Sequence, residues 1–580
     1  MTAHADSFVS DAVDATSWEH LEPLFDDLDH REVSSPVTFE KWLRDRSELD
    51  AATGEAEANL YITMTCRTDD KAAQAAYMRF VEEIQPRIKP RAFELDKRQA
   101  ELSRRFPLDV RRYEVLTRDT VTAVELFRQE NVPIQTEEEK LSTEYQQICG
   151  AMTVTYQGEE RTLPQMGKYQ ESTDRKVREE SWRLVADRRA KDADRIDGIF
   201  DRLVGLRDTM AKNAGFATYV EYTFKAKRRF DYTPKECEAY HDSCERVFVP
   251  LVRRLSEQRK AALGVDELRP WDMAVDVKGR EALRPFEGGV DLVRKSRNVF
   301  RRLDGRLAGL FETLGDGSEA RGADDGAMLD LDSRRGKAPG GYLSMRDRQR
   351  KPFIFMNAAG LHRDVETMVH EAGHAFHAML CADEPLVHYR HSPIEFAEVA
   401  SMSMELLTMR HWGGRDAFYP SEADHARAQR RHLESAMAIL PWIATIDAFQ
   451  HWIYRHPSHA RADRARHWVS LDERFGAGAS WRGMERLREI AWQRQPHLFT
   501  SPMYYIEYGI ALLGSLQLWV RAMEEGERVA VEAYQHALSL GGSRPLPELF
   551  ETAGLKFDFS ASMMSRLADR VQKELDKLPI

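Results

Sequence analysis

Cysteine is scarce: five residues in a chain of 580. Cys66, Cys149, Cys237, Cys244 and Cys381 are odd in number and widely scattered, which excludes a disulfide framework and fits a reducing compartment. Cys237 and Cys244, seven apart on one face of a predicted helix, are expected to be buried thiols. Long apolar runs are missing as well. The densest, residues 436–446, is short and interrupted by Pro441, well below the ~20 residues of a membrane span. Residues 1–20 are acidic and polar, without the charged-then-apolar pattern of a leader. Positive charge is not in excess: 84 Lys and Arg against 95 Asp and Glu leave a net charge of −11, which weighs against a nucleic-acid binder. No fixed-period repeat and no low-complexity tract is present. The expectation is a soluble cytoplasmic protein with no nucleic-acid, membrane or obligate protein partner.

What is there is helical periodicity. Ile196, Ile199, Phe200, Leu203, Leu206 and Met210 recur at the three-and-four spacing of one buried helix face, and Asn213 and Gly215 supply stop signals. Strand signals are few. Met152, Val154 and Tyr156 alternate with threonines before a turn at Gly158, predicting a hairpin near 152–163. Phe353 to Met356 form a short apolar run, with Gly340, Gly341, Tyr342 and Leu343 as a candidate partner strand. Residues 315–341, rich in Gly, Asp and Arg, are expected to be a loop. The fold class is mainly α with a small sheet. The division expected is an N-terminal helical region, 1–200, and a second region, 201–580.

Thirteen of the 19 histidines lie between His362 and His467, so the chemistry is sought there. His370-Glu371-Ala372-Gly373-His374 is an H-E-x-x-H pattern. On a helix, residues four apart share a face, so both imidazoles can bind one tetrahedral Zn²⁺. Glu371, turned about 100° around the axis, can reach a water without being a ligand. His377 lies on nearly the same face, but seven residues rise about 10.5 Å along the axis. Three side chains so strung out cannot share one ion, and His377 is assigned either to packing or to supporting a ligand.

The third ligand is sought on the next predicted helix, residues 393–409. Ser392-Pro393-Ile394-Glu395 has the form of a capping box, which gives Glu395 a structural role. Glu398 lies in the apolar run Phe396-Ala397-Glu398-Val399-Ala400, where a carboxylate needs a partner or a metal. Glu398 is therefore preferred. Glu405, seven further on, and Glu366, one turn before His370, are candidates for holding a ligand histidine in place. Downstream, Ser501-Pro502 looks like another helix start, and Tyr505 and Tyr508 share a face beyond it. They are either oxyanion donors or an aromatic core stripe.

Together these residues resemble the thimet oligopeptidase and oligoendopeptidase F family of zinc peptidases. The resemblance rests on Gly336-Lys337-Ala338-Pro339-Gly340-Gly341-Tyr342, Pro352-Phe353-Ile354-Phe355-Met356-Asn357, His370 to His377, Phe396-Ala397-Glu398-Val399-Ala400-Ser401 and Pro502-Met503-Tyr504-Tyr505-Ile506-Glu507-Tyr508-Gly509. It covers about residues 330 to 515; little is recognisable before about 140, and Met503 stands where the family often has Phe. It implies His370, His374 and Glu398 as ligands of one zinc, Glu371 as the catalytic glutamate, and His497, Tyr505, Tyr508 and Tyr504 as substrate-binding or catalytic groups. It also implies a two-lobed helical ellipsoid with a deep channel, zinc on its floor, and a strand edge at Gly340, Gly341 and Tyr342 for an extended peptide. The activity implied is hydrolysis of internal bonds in short peptides. The alternatives are a zinc carboxypeptidase or dipeptidase on a similar scaffold, and a non-catalytic peptide-binding protein.

Overall fold

The computed structural model describes residues 7–318, 326–334, 336–338 and 340–579. Pro339 and residues 319–325 and 335 of the expected loop lie outside them. The chain is mainly α, with five short strands among the described residues. It forms two compact units, each assembled from separate stretches: residues 1–129, 284–425 and 514–557 in the first, and 130–283, 426–513 and 558–580 in the second. The division expected at residue 200 falls inside the helix Ala193–Asn213, whose apolar face is buried as its periodicity predicts, although Leu206 is only half-buried.

In the first unit, helices Trp18–His30, Pro36–Cys66, Gln85–Arg105 and Val110–Leu126 pack around one core that also takes in Leu386 and Tyr389. Pro36–Cys66 starts on a true capping box, with Ser35 Oγ accepting from Thr38 N at 3.2 Å. Its C-terminal turn packs Ile62 and Cys66 on Phe353 and Phe355 of a three-stranded sheet. In that sheet Lys351–Ala358 is central, Tyr342–Arg346 pairs with it antiparallel, and Leu329–Asp332 pairs with it parallel.

The strand Leu329–Asp332 corrects the expectation of an unbroken loop over 315–341. Its sequence, Leu-Asp-Leu-Asp, carries no apolar run because the buried Asp330 is neutralised by Lys337 Nζ at 2.8 Å and Arg334 Nη1 at 2.6 Å. Buried carboxylates need such partners, and sequence alone does not display them. Gly340 and Gly341 precede the edge strand rather than forming part of it.

The second unit holds the predicted hairpin, Thr153–Tyr156 against Glu159–Thr162. Gln157 and Gly158, both at positive φ, make the tight turn that matches strand twist. Long helices Pro234–Leu263 and Glu422–Arg455 contribute much of its core. The latter runs through Pro441 rather than breaking there. No helix among the described residues is long and apolar enough to cross a membrane.

Candidate metal centre and tyrosine cluster

The H-E-x-x-H segment lies on the helix His362–Leu380, directly after the central strand. Gly360, at φ 80°, makes the turn between them. Asp364 fixes the helix start by accepting from the backbone N–H of Ala359 at 2.7 Å and of Leu361 at 2.9 Å. Val365, Met368, Val369, Ala372, Ala375 and Phe376 are fully buried, so the face opposite the two histidines anchors the helix.

Glu398 comes from the helix Ile394–Thr408. Ligand atoms of His370, His374 and Glu398 all lie within 4.8 Å of one another; Glu398 Oε2 is 3.5 Å from His370 Nε2 and 3.7 Å from His374 Nε2. Gly373, one of the two x positions of the motif, permits this approach. A Cβ there would stand 2.5 Å from Ala400 O and 2.6 Å from Ser401 Cα, so only glycine lets the two helices pack this closely. The H-E-x-x-H pattern itself does not require a glycine at position 373. The glycine's signal was available: a glycine inside a strongly periodic helix is costly and commonly marks close packing.

The capping box expected at Ser392 and Glu395 is not formed. The helix begins one residue later, Ser392 Oγ donates to Pro393 O, and no side chain caps the N-terminus. Glu395 is buried, as Glu398 is. Glu398 thus stands beside both histidines, while the capping box that set Glu395 aside is not formed.

Around this triad the carboxylates differ in task. Glu405 Oε1 accepts from His370 Nδ1 at 2.7 Å, fixing the ring so that Nε2 points at the cluster. Glu366 instead stands 3.4 Å from His362 Nε2. Burial opposes a charge on His370, but Glu405, with Glu398 and Glu371 nearby, carries its pKa up to about 10. Burial, helped by the neighbouring His370 and opposed by Glu398, drives His374 down to about 4. His377 is buried, packs edge-on to Phe396 and is pulled down to about 3 by burial, consistent with packing.

Glu371 is buried, and burial pushes its carboxyl up to about 7 against the pull of His370. Its Oε2 is buried with no hydrogen-bond partner. Two imidazoles, a carboxylate and an adjacent orphaned carboxylate oxygen fit a zinc ion carrying a water. A Cβ on Gly341 would lie 4.0 Å from Glu371 Oε1, which places the start of the edge strand beside the glutamate. Tyr342 itself is committed elsewhere. Its hydroxyl bonds Thr65 Oγ1 at 2.6 Å and its ring stacks on Phe355, so only its backbone is available for an extended peptide.

The remaining predicted residues form a cluster in the second unit. The His497 ring lies 5.0 Å from Tyr505 and 5.9 Å from Tyr508, and Tyr504 and Tyr505 lie 5.0 and 5.5 Å from Tyr508. The helix start expected at Ser501-Pro502 is displaced: the helix begins at Tyr505, after Met503 at φ 60°. That strained residue is clamped on both sides. Its N–H donates to Gln450 Oε1 at 2.6 Å, and its carbonyl accepts from Arg229, which also pairs with the buried Glu507 at 2.8 Å. Arg207 similarly holds the segment before it, donating to Leu498 O at 2.8 Å and Phe499 O at 2.6 Å. None of these supports was legible in the sequence, because Arg207 and Arg229 lie far from residue 500 along the chain.

A helix-borne histidine pair completed by a glutamate from the following helix is a donor set that zinc hydrolases use. The model of peptidase family M3 matches residues 168–287 and 318–569, and the chain belongs to that family. Among similar proteins, an oligoendopeptidase F homolog of Lactococcus lactis is 26% identical over 158 residues, 27% of this chain. One of Borreliella burgdorferi is 24% identical over 315 residues, 52% of this chain. The matches span 24% and 49% of those two relatives' own lengths. A crystal structure assigned as an oligoendopeptidase F superposes with a TM-score of 0.88 at 25% identity, covering 99% of both chains.

Proposed function

We propose that the chain is a zinc-dependent endopeptidase that hydrolyses internal bonds of short peptides in the cytoplasm. The observation that carries this reading is the convergence of His370, His374 and Glu398 beside the orphaned Oε2 of Glu371. His370, His374 and Glu398 would hold one zinc, which when bound polarises the scissile carbonyl and acidifies the attacking water. Glu405 keeps His370 in the orientation that directs Nε2 inward. Glu371 takes the proton of the attacking water at Oε2 and delivers it to the leaving amine, a role suited to a carboxyl raised toward neutrality. Tyr508, with Tyr505 and His497, is assigned to donate hydrogen bonds to the oxyanion, and Tyr504 to bind the peptide. The backbone of Gly340, Gly341 and Tyr342, at a sheet edge, is suited to pair with an extended substrate.

Digestion of a mixed-length peptide library, followed by mass spectrometry with and without chelator, tests the reading. Chelator-sensitive cleavage at internal bonds is expected. Release of single terminal residues only would replace it with an exopeptidase, and no cleavage by metal-loaded protein would leave a peptide-binding role.

A further inference from the structure

The second unit contains another convergence of metal-binding side chains. Cys237 and His241 lie four apart on the helix Pro234–Leu263, and Asp447 and His451 lie four apart on Glu422–Arg455. Each pair therefore shares a face. Ligand atoms of Cys237, Asp447 and His451 lie within 4.8 Å of one another, and all three residues are buried. The tetrahedral zinc sphere places such atoms about 3.4–3.7 Å apart, so shifts of about 1 Å would bring three of its four donors into place.

The polar atoms are poorly served by the protein alone. Asp447 Oδ1 has no hydrogen-bond partner, and neither ring nitrogen of His451 makes one; its Nε2 is 3.4 Å from Asp447 Oδ2 without a well-formed bond. A fully buried chain interior rarely leaves such atoms without partners. His241 Nε2, in contrast, bonds Asp447 Oδ2 at 2.8 Å, the outer contact that ligating carboxylates commonly have. The walls are aromatic, with Phe224 edge-on to His451.

We propose that Cys237, Asp447 and His451 bind a second metal ion, of the zinc class, with His241 orienting the carboxylate. The thiolate and imidazole donors select zinc-like ions over magnesium or calcium. On binding, the Cys237 thiol gives its proton to solvent and its sulfur bonds the metal. No substrate reaches a site this enclosed, so its role is to tie together two helices about 200 residues apart in sequence.

The test uses the full chain, loaded with zinc or with cobalt. Elemental analysis should find two ions per chain, falling to one in His374→Ala and to one in His451→Ala. The cobalt form should show a near-ultraviolet sulfur-to-cobalt band, because only the second site offers sulfur. That band should persist in His374→Ala and Cys244→Ser and vanish in Cys237→Ser. One ion per chain, lost completely in His374→Ala, with no sulfur band in the native protein, would overturn the proposal. The native and His374→Ala measurements decide the matter even where Cys237→Ser fails to fold. A sulfur band with no activity-linked ion would leave this site standing and remove the catalytic reading instead.

Discussion

The two compact units each carry a cluster of histidine and acid, and the same local rule builds both. His370 and His374 in one, and the pairs Cys237–His241 and Asp447–His451 in the other, are side chains four apart on a helix, brought to a shared point by a second helix. They differ in access. The side chains of His370 and His374 keep 22% and 19% of their surface, whereas those of His451 and Asp447 keep 4% and none. They differ also in what lies beside the donors: a buried carboxylate with an idle oxygen in the first, aromatic rings in the second. A cluster that turns over substrate needs an opening and a proton acceptor. A cluster that only binds needs neither.

The largest effect expected follows from that difference. Glu371→Gln removes the proposed proton acceptor and none of the proposed ligands, so kcat should fall by the ~10²–10⁴ typical of acid–base catalysis while metal content stays unchanged. Loss of the ion together with the activity would show that Glu371 belongs to the donor set. Replacing Tyr508 with Phe probes the second unit, whose tyrosines are proposed to act in catalysis although its histidine–aspartate cluster is not. A fall in kcat of about 10²-fold with KM little changed is expected for a lost oxyanion donor. A change confined to KM would assign Tyr508 to substrate binding.

Smaller effects should come from the residues that shape the open cluster. Glu405→Gln should weaken metal affinity by about 10–100-fold, the usual consequence of losing an outer carboxylate on a ligand histidine. Competition with a chromogenic chelator measures it, and unchanged affinity would make the 2.7 Å bond to His370 incidental. Gly373→Ala should cost about 1–3 kcal/mol by thermal unfolding, although alanine is the better helix former, because its methyl must enter the space of Ala400 O. An equal or higher melting temperature would mean that the two helices separate freely.

These contrasts also explain what could be seen in the sequence. His370, His374 and Glu371 were legible because one helix turn fixes their relation, and Glu398 because a carboxylate in an apolar run demands a partner, although the buried Glu395 three residues earlier meets the same test. The strand Leu329–Asp332 was not, since the neutralising partners of Asp330 make a buried strand look like a polar loop. Nor were the two discontinuous units, because helical periodicity reports which face is buried and not what it is buried against. The Cys237 cluster was half visible: the thiols were expected in a buried face, but Asp447 and His451 enter from a helix roughly 200 residues away.

The smallest effect concerns how the helix bearing Glu398 begins. At Ser35 the hydroxyl accepts from the third residue of the helix, so Ser35→Ala should cost about 1 kcal/mol. Ser392 has a similar sequence context, with proline next and a candidate partner three residues on, yet its hydroxyl turns to Pro393 O and serves no helix N–H. Ser392→Ala should therefore change stability by less than about 0.5 kcal/mol. Matched thermal melts of the two variants compare them directly. Equal losses would mean that Ser392 does cap the helix in solution, and with it that Glu395 is engaged at the N-terminus as its sequence pattern suggests. Glu398 would then be the only carboxylate of that helix turn left to reach the two histidines, and the geometric and sequence arguments for it would coincide.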